Sequence, residues 1–133
     1  MPATVKAHIG REHYQINITS GSNNTIIADE PEENGGKNKG FSPSELLIAS
    51  LGACTCATLR MYADRKEIPL EGINVTLNLR RDEEKNITII KRDIQLQGDL
   101  TPEERDRLLI IANKCPIHKA LSNPFDIKTT LEA

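Results

Sequence analysis

The residues best suited to chemistry are three cysteines, Cys54, Cys56 and Cys115, with His118 close to the last of them. A thiolate is a nucleophile, a metal ligand and one half of a redox couple. Cys54 and Cys56 lie in the uncharged run Leu46 to Leu59, and Cys115 stands directly before Pro116. Two positions apart on a helix turn through roughly 200°, so the thiols of Cys54 and Cys56 point nearly opposite ways. They neither bond each other readily nor clamp one ion. That geometry argues against the zinc set that Cys54, Cys56, Cys115 and His118 invite on a first count, because zinc needs convergent ligands. Cys115 falls at the N-terminal cap of a short helix opened by Pro116. There a thiol feels the positive end of the helix and gains thiolate character, with His118 on the same side of the turn. The plain alternatives are that Cys54 and Cys56 are inert small hydrophobes in a buried helix and that Cys115 only caps. Glu45 is open to both a capping and a functional role. Arg11 and Arg60 read as solvated or salt-bridged, although an arginine beside a thiol would stabilise its thiolate.

The element that must position Cys54 is a helix over Ser42 to Lys66. Ser42 is its N-cap, Pro43 takes the first helical position and Glu45 completes a capping box. Such a helix is about 36 Å long, the width of a small domain. The lack of charge from Leu46 to Leu59 predicts burial all round. Its wall is small (Ala49, Ser50, Gly52, Ala53, Thr55, Ala57, Thr58), and Gly52, costly in a helix by about 1 kcal/mol, implies close approach of a sheet or a second helix. Arg65 and Lys66 in the last turn and Pro69 beyond mark the stop.

Before this helix, Thr4–Ile9 and Tyr14–Thr19 read as strands around a Gly10-Arg11 turn, and Thr25–Ala28 as a third strand after the turn Gly21–Asn24. Asp29 to Gly40, acidic and then rich in glycine and polar residues, reads as a mobile loop and a candidate lid. After the helix, Ile73, Val75, Leu77 and Leu79 alternate, and a charged turn at 82–86 leads to a second alternating arm from Ile87. This is a long antiparallel hairpin, with a bulge or two-sided cover in the first half of its second strand. Thr101-Pro102-Glu103-Glu104 opens another helix, whose apolar side is Leu108, Leu109, Ile111 and Ala112. A third helix runs from Pro116 to about Ser122. Ile127, Thr129 and Leu131 suggest a final strand. Strands, helix, strands, helices and strand in that order make an α+β fold with an antiparallel sheet.

The 133 residues suit a single domain, 1–133, and a net charge of −2 gives no reason to expect nucleic acid as a partner. No window of 18 apolar residues is free of charge, which predicts no membrane span. The N-terminal stretch lacks a signal-peptide core, so the expected location is the cytoplasm, where three thiols stay reduced unless they are working redox groups. Aromatic content is 3% with no Trp, so an apolar site would be built from Leu, Ile and Met.

With Gly40-Phe41-Ser42-Pro43-Ser44-Glu45-Leu46-Leu47, then Ala49 to Cys54, then Ala112-Asn113-Lys114-Cys115-Pro116-Ile117-His118, the chain resembles the OsmC/Ohr family of osmotically inducible and organic-hydroperoxide-resistance proteins. The run to Lys66 together with Asn113–Leu121 is most similar to the general OsmC-like subgroup. The resemblance implies a thiol-dependent peroxidase for organic hydroperoxides, with Cys54 peroxidatic, Cys115 resolving and a dithiol reductant as partner. No cofactor and no metal are expected. The resemblance also implies an intertwined homodimer with the long helices packed centrally and the sites at the subunit interface. In the family's peroxidases a glutamate directly follows the proline and an arginine from the N-terminal strands faces the thiol. Here that place is Ser44, Glu45 comes one residue later, and Arg11 is the only arginine before the helix. Cys56 has no role in the pattern. The alternative is a non-catalytic OsmC-like redox sensor or small-ligand-binding protein.

Overall fold

The long helix forms where its caps place it. In the computed structural model, which describes residues 2–132, it spans Pro43–Lys66 (α1). The Ser42 amide donates to Glu45 Oε1 (2.8 Å) and the Glu45 amide to Ser42 Oγ (3.2 Å), a complete capping box. At the other end Glu67 takes a left-handed φ of 56°, and the Ile68 amide reaches back to the Ala63 carbonyl at 2.9 Å. This is a Schellman-type stop made without glycine.

The fold comprises two units, one up to Ile48 and one from Ala49 onward, with the division inside α1. In the first, β1 (Val5–His8), β2 (Ile16–Ser20) and β3 (Thr25–Ala28) make an antiparallel meander. Val5 pairs with Ser20 and Ile16 with Ala28. The loop between β1 and β2 is longer than the tight turn expected at Gly10-Arg11, since His8 already faces Asn17.

The expected mobile segment from Asp29 to Gly40 is instead built around one carboxylate. Asp29 has no exposed surface. Its Oδ1 accepts from the amides of Glu30 (2.8 Å) and Tyr14 (3.4 Å), and its Oδ2 from those of Lys39 (3.0 Å) and Lys37 (3.3 Å). Burial pushes this carboxyl up, but the four amide donors outweigh it and hold it below its ordinary value. A short 3₁₀ turn, Glu32–Asn34, lies within the loop. Gly40 is needed at its end, because a Cβ there would sit 2.0 Å from the Ile27 carbonyl oxygen.

In the second unit β4 (Gly72–Asp82) and β5 (Ile87–Gln97) pair antiparallel in one unbroken register from Gly72↔Gln97 to Asp82↔Ile87. There is no bulge. The mixed pattern of the second arm reflects cover on both faces, with Ile89 and Ile90 both half-buried. Next come α2 (Pro102–Ala112), opened by a Thr101/Glu104 capping box, and α3 (Pro116–Leu121). The core is Leu59, Tyr62 and Ala63 of α1, Leu70, and Leu108 and Ala112 of α2, packed against Ile73, Ile94 and Leu96 of the hairpin. Burying a side chain such as Leu59 contributes about 1.5–3 kcal/mol. Gly52 meets the expectation of close approach: a Cβ there would lie 2.9 Å from Leu77 Cδ1.

Four further expectations need correction. Leu109 faces outward, 57% exposed, because α2 turns only Leu108, Ala112 and part of Ile111 inward. α1 is not buried all round; its buried residues are Leu51, Thr55, Leu59, Tyr62 and Ala63, and Met61 is 69% exposed. By length and composition α1 is apolar enough to cross a membrane, with mean hydropathy 1.4 over 18 residues, but its inward stripe belongs to a folded core. No strand forms at Ile127 to Leu131, where Ile127 and Leu131 are almost fully exposed. Alternation selects a face, but a strand also needs a backbone ladder partner, and the described residues supply none there.

Candidate thiol site

Thr55 belongs to the inward stripe of α1, one helical turn after Leu51. It is fully buried, and its hydroxyl donates to the Leu51 carbonyl at 2.7 Å. Cys54 precedes it and therefore sits on the flank of the stripe, half-buried, with Sγ 3.9 Å from Thr58 Oγ1. Cys56 turns the other way. It lines a separate cleft of about 370 Å³ with Arg60, Glu71 and Ile73, to which Cys54 does not contribute. The helical-wheel separation of these two thiols thus holds.

Cys115 lies where the sequence places it, as the N-cap of α3 with Pro116 in the first turn. Its sulfur accepts the His118 amide at 3.4 Å, and the residue has no exposed surface. All three cysteines are free thiols. Glu45 is occupied by the α1 capping box, and its side chain is exposed at the helix entrance. Arg60 is salt-bridged as expected, with Nη2 2.8 Å from Asp64 Oδ1 and Nη1 donating to the Leu70 carbonyl at 2.7 Å. Arg11 is exposed.

The residue that sequence reasoning missed is Arg92. It occupies the middle of the inward row of β5, between Ile90 and Ile94. Its Nη1 donates to Thr55 Oγ1 (3.0 Å). Its Nη2 donates to Asn113 Oδ1 (2.9 Å) and lies 3.1 Å from His118 Nδ1. One guanidinium therefore contacts the residue after Cys54 on α1, a residue two before Cys115 and a residue three after it. A guanidinium only donates, so His118 Nδ1 must accept, which places the ring proton on Nε2 and leaves the imidazole neutral. Burial, and secondarily the Arg92 charge, hold His118 below its ordinary pKa of 6.5, in agreement with that tautomer. The signal was present in the chain: a charge inside an otherwise apolar alternating row needs a buried partner. Beside this cluster opens a cleft of about 290 Å³, with Leu51, Ile90 and Leu121 as apolar lining and Thr88, Arg92, His118 and Ser122 as polar lining.

The two thiols differ in what they can meet. Cys54 is reachable by a small molecule. Cys115, sealed, can react only with a group brought to it or after its turn opens.

A family model described as OsmC-like protein matches residues 36–130. Solved structures of similar fold include the organic hydroperoxide resistance protein OsmC of Legionella pneumophila, also described as a predicted redox protein and regulator of sulfide bond formation (25% identity, TM-score 0.67, 91% of this chain and 89% of that one). The organic hydroperoxide resistance protein OhrB of Bacillus subtilis matches at 26% identity and TM-score 0.62, with 90% of each chain covered. An OsmC-like protein of Mycoplasma pneumoniae is similar in fold, at 19% identity and TM-score 0.78 over 92% of this chain and 88% of that one. No curated protein matches.

Proposed function

The chain belongs to the OsmC family, and from that premise we propose that it is a thiol-dependent peroxidase acting on organic hydroperoxides. The Cys54 thiolate attacks the distal peroxide oxygen. The S–O bond forms, the O–O bond breaks, and the leaving alkoxide takes a proton to become the alcohol. Cys115 thiolate then attacks the Cys54 sulfenic sulfur; the S–S bond forms and hydroxide departs as water with the proton that Cys115 released. A dithiol reductant reopens the disulfide and is itself oxidised to a disulfide.

The observation that carries this reading is the bridge made by Arg92. It ties the α1 turn that bears Cys54 to the Asn113–His118 turn that bears Cys115. The contrast between a half-buried Cys54 and a sealed Cys115 fits an attacking thiol and an internal resolving one. Relatives named for organic hydroperoxide resistance support the substrate class. Glu45 keeps its capping role, its carboxylate accepting the Ser42 amide at the start of α1.

The active species is a homodimer in this reading. The outer side of α1, with Ala53 and Ala57 exposed and Met61 69% exposed, is small and apolar and suits a second copy. The second reading, a redox sensor or ligand binder, is favoured by the end point of Arg92 on α1, which is the Thr55 hydroxyl at 3.0 Å.

With dithiothreitol and cumene hydroperoxide, the purified dimer should consume peroxide, and Cys54→Ser should reduce consumption to background. Wild-type turnover no faster than the variant overturns the peroxidase reading and leaves the sensor. Sedimentation of the same sample that returns a folded monomer removes the dimer.

A further inference from the structure

We propose that Arg92 is a positioning residue for the second, resolving half of the reaction, holding the Cys115 turn in register with the Cys54 turn; this rests on the peroxidase reading above. Arg92 reaches across 37 residues of sequence to Thr55, 21 to Asn113 and 26 to His118. Its acceptor Thr55 has no exposed surface and already uses its own proton on the Leu51 carbonyl, so its lone pair is aimed at the guanidinium and nothing else in the cluster can replace that donor. On the far side, Arg92 grips the residues on both flanks of Cys115, and His118 passes the constraint on through its amide, which donates to the Cys115 sulfur. The forked, planar guanidinium suits this task. A lysine ammonium restores the charge but has one nitrogen, where Arg92 sets Nη1 on Thr55 and Nη2 on Asn113 and His118.

The step at issue is the displacement at the Cys54 sulfenic sulfur by Cys115, in which S–S forms, S–O breaks and water leaves. Its rate depends on how often the two sulfurs meet in line, which is what a bridge between their turns controls. The first half, attack of Cys54 on peroxide, does not involve the Cys115 turn. Loss of Arg92 therefore falls more heavily on the resolving half-reaction than on the first.

The test uses the full-length protein, reduced and then given one equivalent of cumene hydroperoxide, in wild-type, Arg92→Met, Arg92→Lys and Asn113→Ala forms. Dimedone trapping reads sulfenic acid at Cys54, and mass spectrometry reads the Cys54–Cys115 disulfide. Arg92→Met should slow disulfide formation on the order of tenfold more than it slows sulfenic acid formation. Arg92→Lys should not rescue it, and Asn113→Ala, at an exposed position, should slow it less. A disulfide formed at the wild-type rate in Arg92→Met overturns the proposal. If wild-type protein forms no sulfenic acid at all, the peroxidase reading fails, and the bridge is read separately by alkylation of Cys115 with iodoacetamide in the reduced protein. Arg92→Met should then raise that rate on the order of tenfold, and an unchanged rate overturns the positioning role. The split between the two half-reactions is the readout that a purely structural role would not move, because a general loss of structure slows sulfenic acid and disulfide formation alike.

Discussion

Asp29 and Arg92 are the charges around which the two units are arranged, and they are satisfied in opposite ways. Asp29 is sealed from solvent and all four of its partners are backbone amides, from Tyr14, Glu30, Lys37 and Lys39. Backbone donors have no rotamers and no ionisation, so such a cage is a static brace for a loop. Arg92 is half-buried and its partners are three side chains on separate elements, one of them a titratable imidazole. Side-chain partners can rotate, titrate and let go. The lesson is that a buried charge marks structure when the backbone answers it, and marks a candidate site when movable side chains next to nucleophiles answer it.

The contrast is open to breakage on the Asp29 side first. Asp29→Ala leaves four donors facing an empty space and should speed hydrogen exchange of the Glu30, Lys37 and Lys39 amides by roughly tenfold or more. Asp29→Asn, which keeps one carbonyl oxygen, should fall between. Equal exchange in Ala variant and wild type would show that the carboxylate does not hold the loop.

Acid separates the two charges more gently. His118 is held below 6.5, so between that value and its folded pKa the unfolded chain binds the extra proton and the folded one does not. Stability should therefore decline as pH drops below about 6.5, and His118→Gln should remove that decline. Asp29 is held below 3.8, so the stability it supplies is present above that value and is lost only as pH falls through the lower folded pKa. Denaturant midpoints across pH measure both windows. A wild-type midpoint that stays flat from about pH 7 to 5 would remove His118 from the Arg92 cluster.

The smallest effect belongs to a guanidinium of the same forked shape whose charged partner is exposed. Arg60 pairs with Asp64 one turn along α1, and the Asp64 side chain is 66% exposed. Asp64→Ala should cost about 0.5 kcal/mol or less in a urea titration. A cost several times larger would mean that partner exposure, high at Asp64 and nil at Thr55, does not separate Arg60 from Arg92.

Much of this was readable from the chain because it is local. Ser42, Pro43 and Glu45 define the start of α1, Thr101 to Glu104 that of α2, and Cys115-Pro116 that of α3, since a cap depends on residues three or four apart. The hairpin followed from alternation. The same rule failed at Ile127 to Leu131, where alternation is present but no ladder partner is. It also passed over Arg92, because an alternating row records which way a side chain faces and not what waits there.

The sequence by itself settled the caps that open the three α-helices, the β4–β5 hairpin, the divergence of Cys54 from Cys56, and the place of Cys115 at a helix cap, all consequences of short-range geometry. Only the tertiary structure decided that Cys115 is sealed while Cys54 is half-open, that Asp29 is caged, and that Arg92 meets Thr55, Asn113 and His118. Those outcomes depend on groups brought together across tens of residues by packing, and no local preference encodes which distant side chain will stand opposite a buried charge.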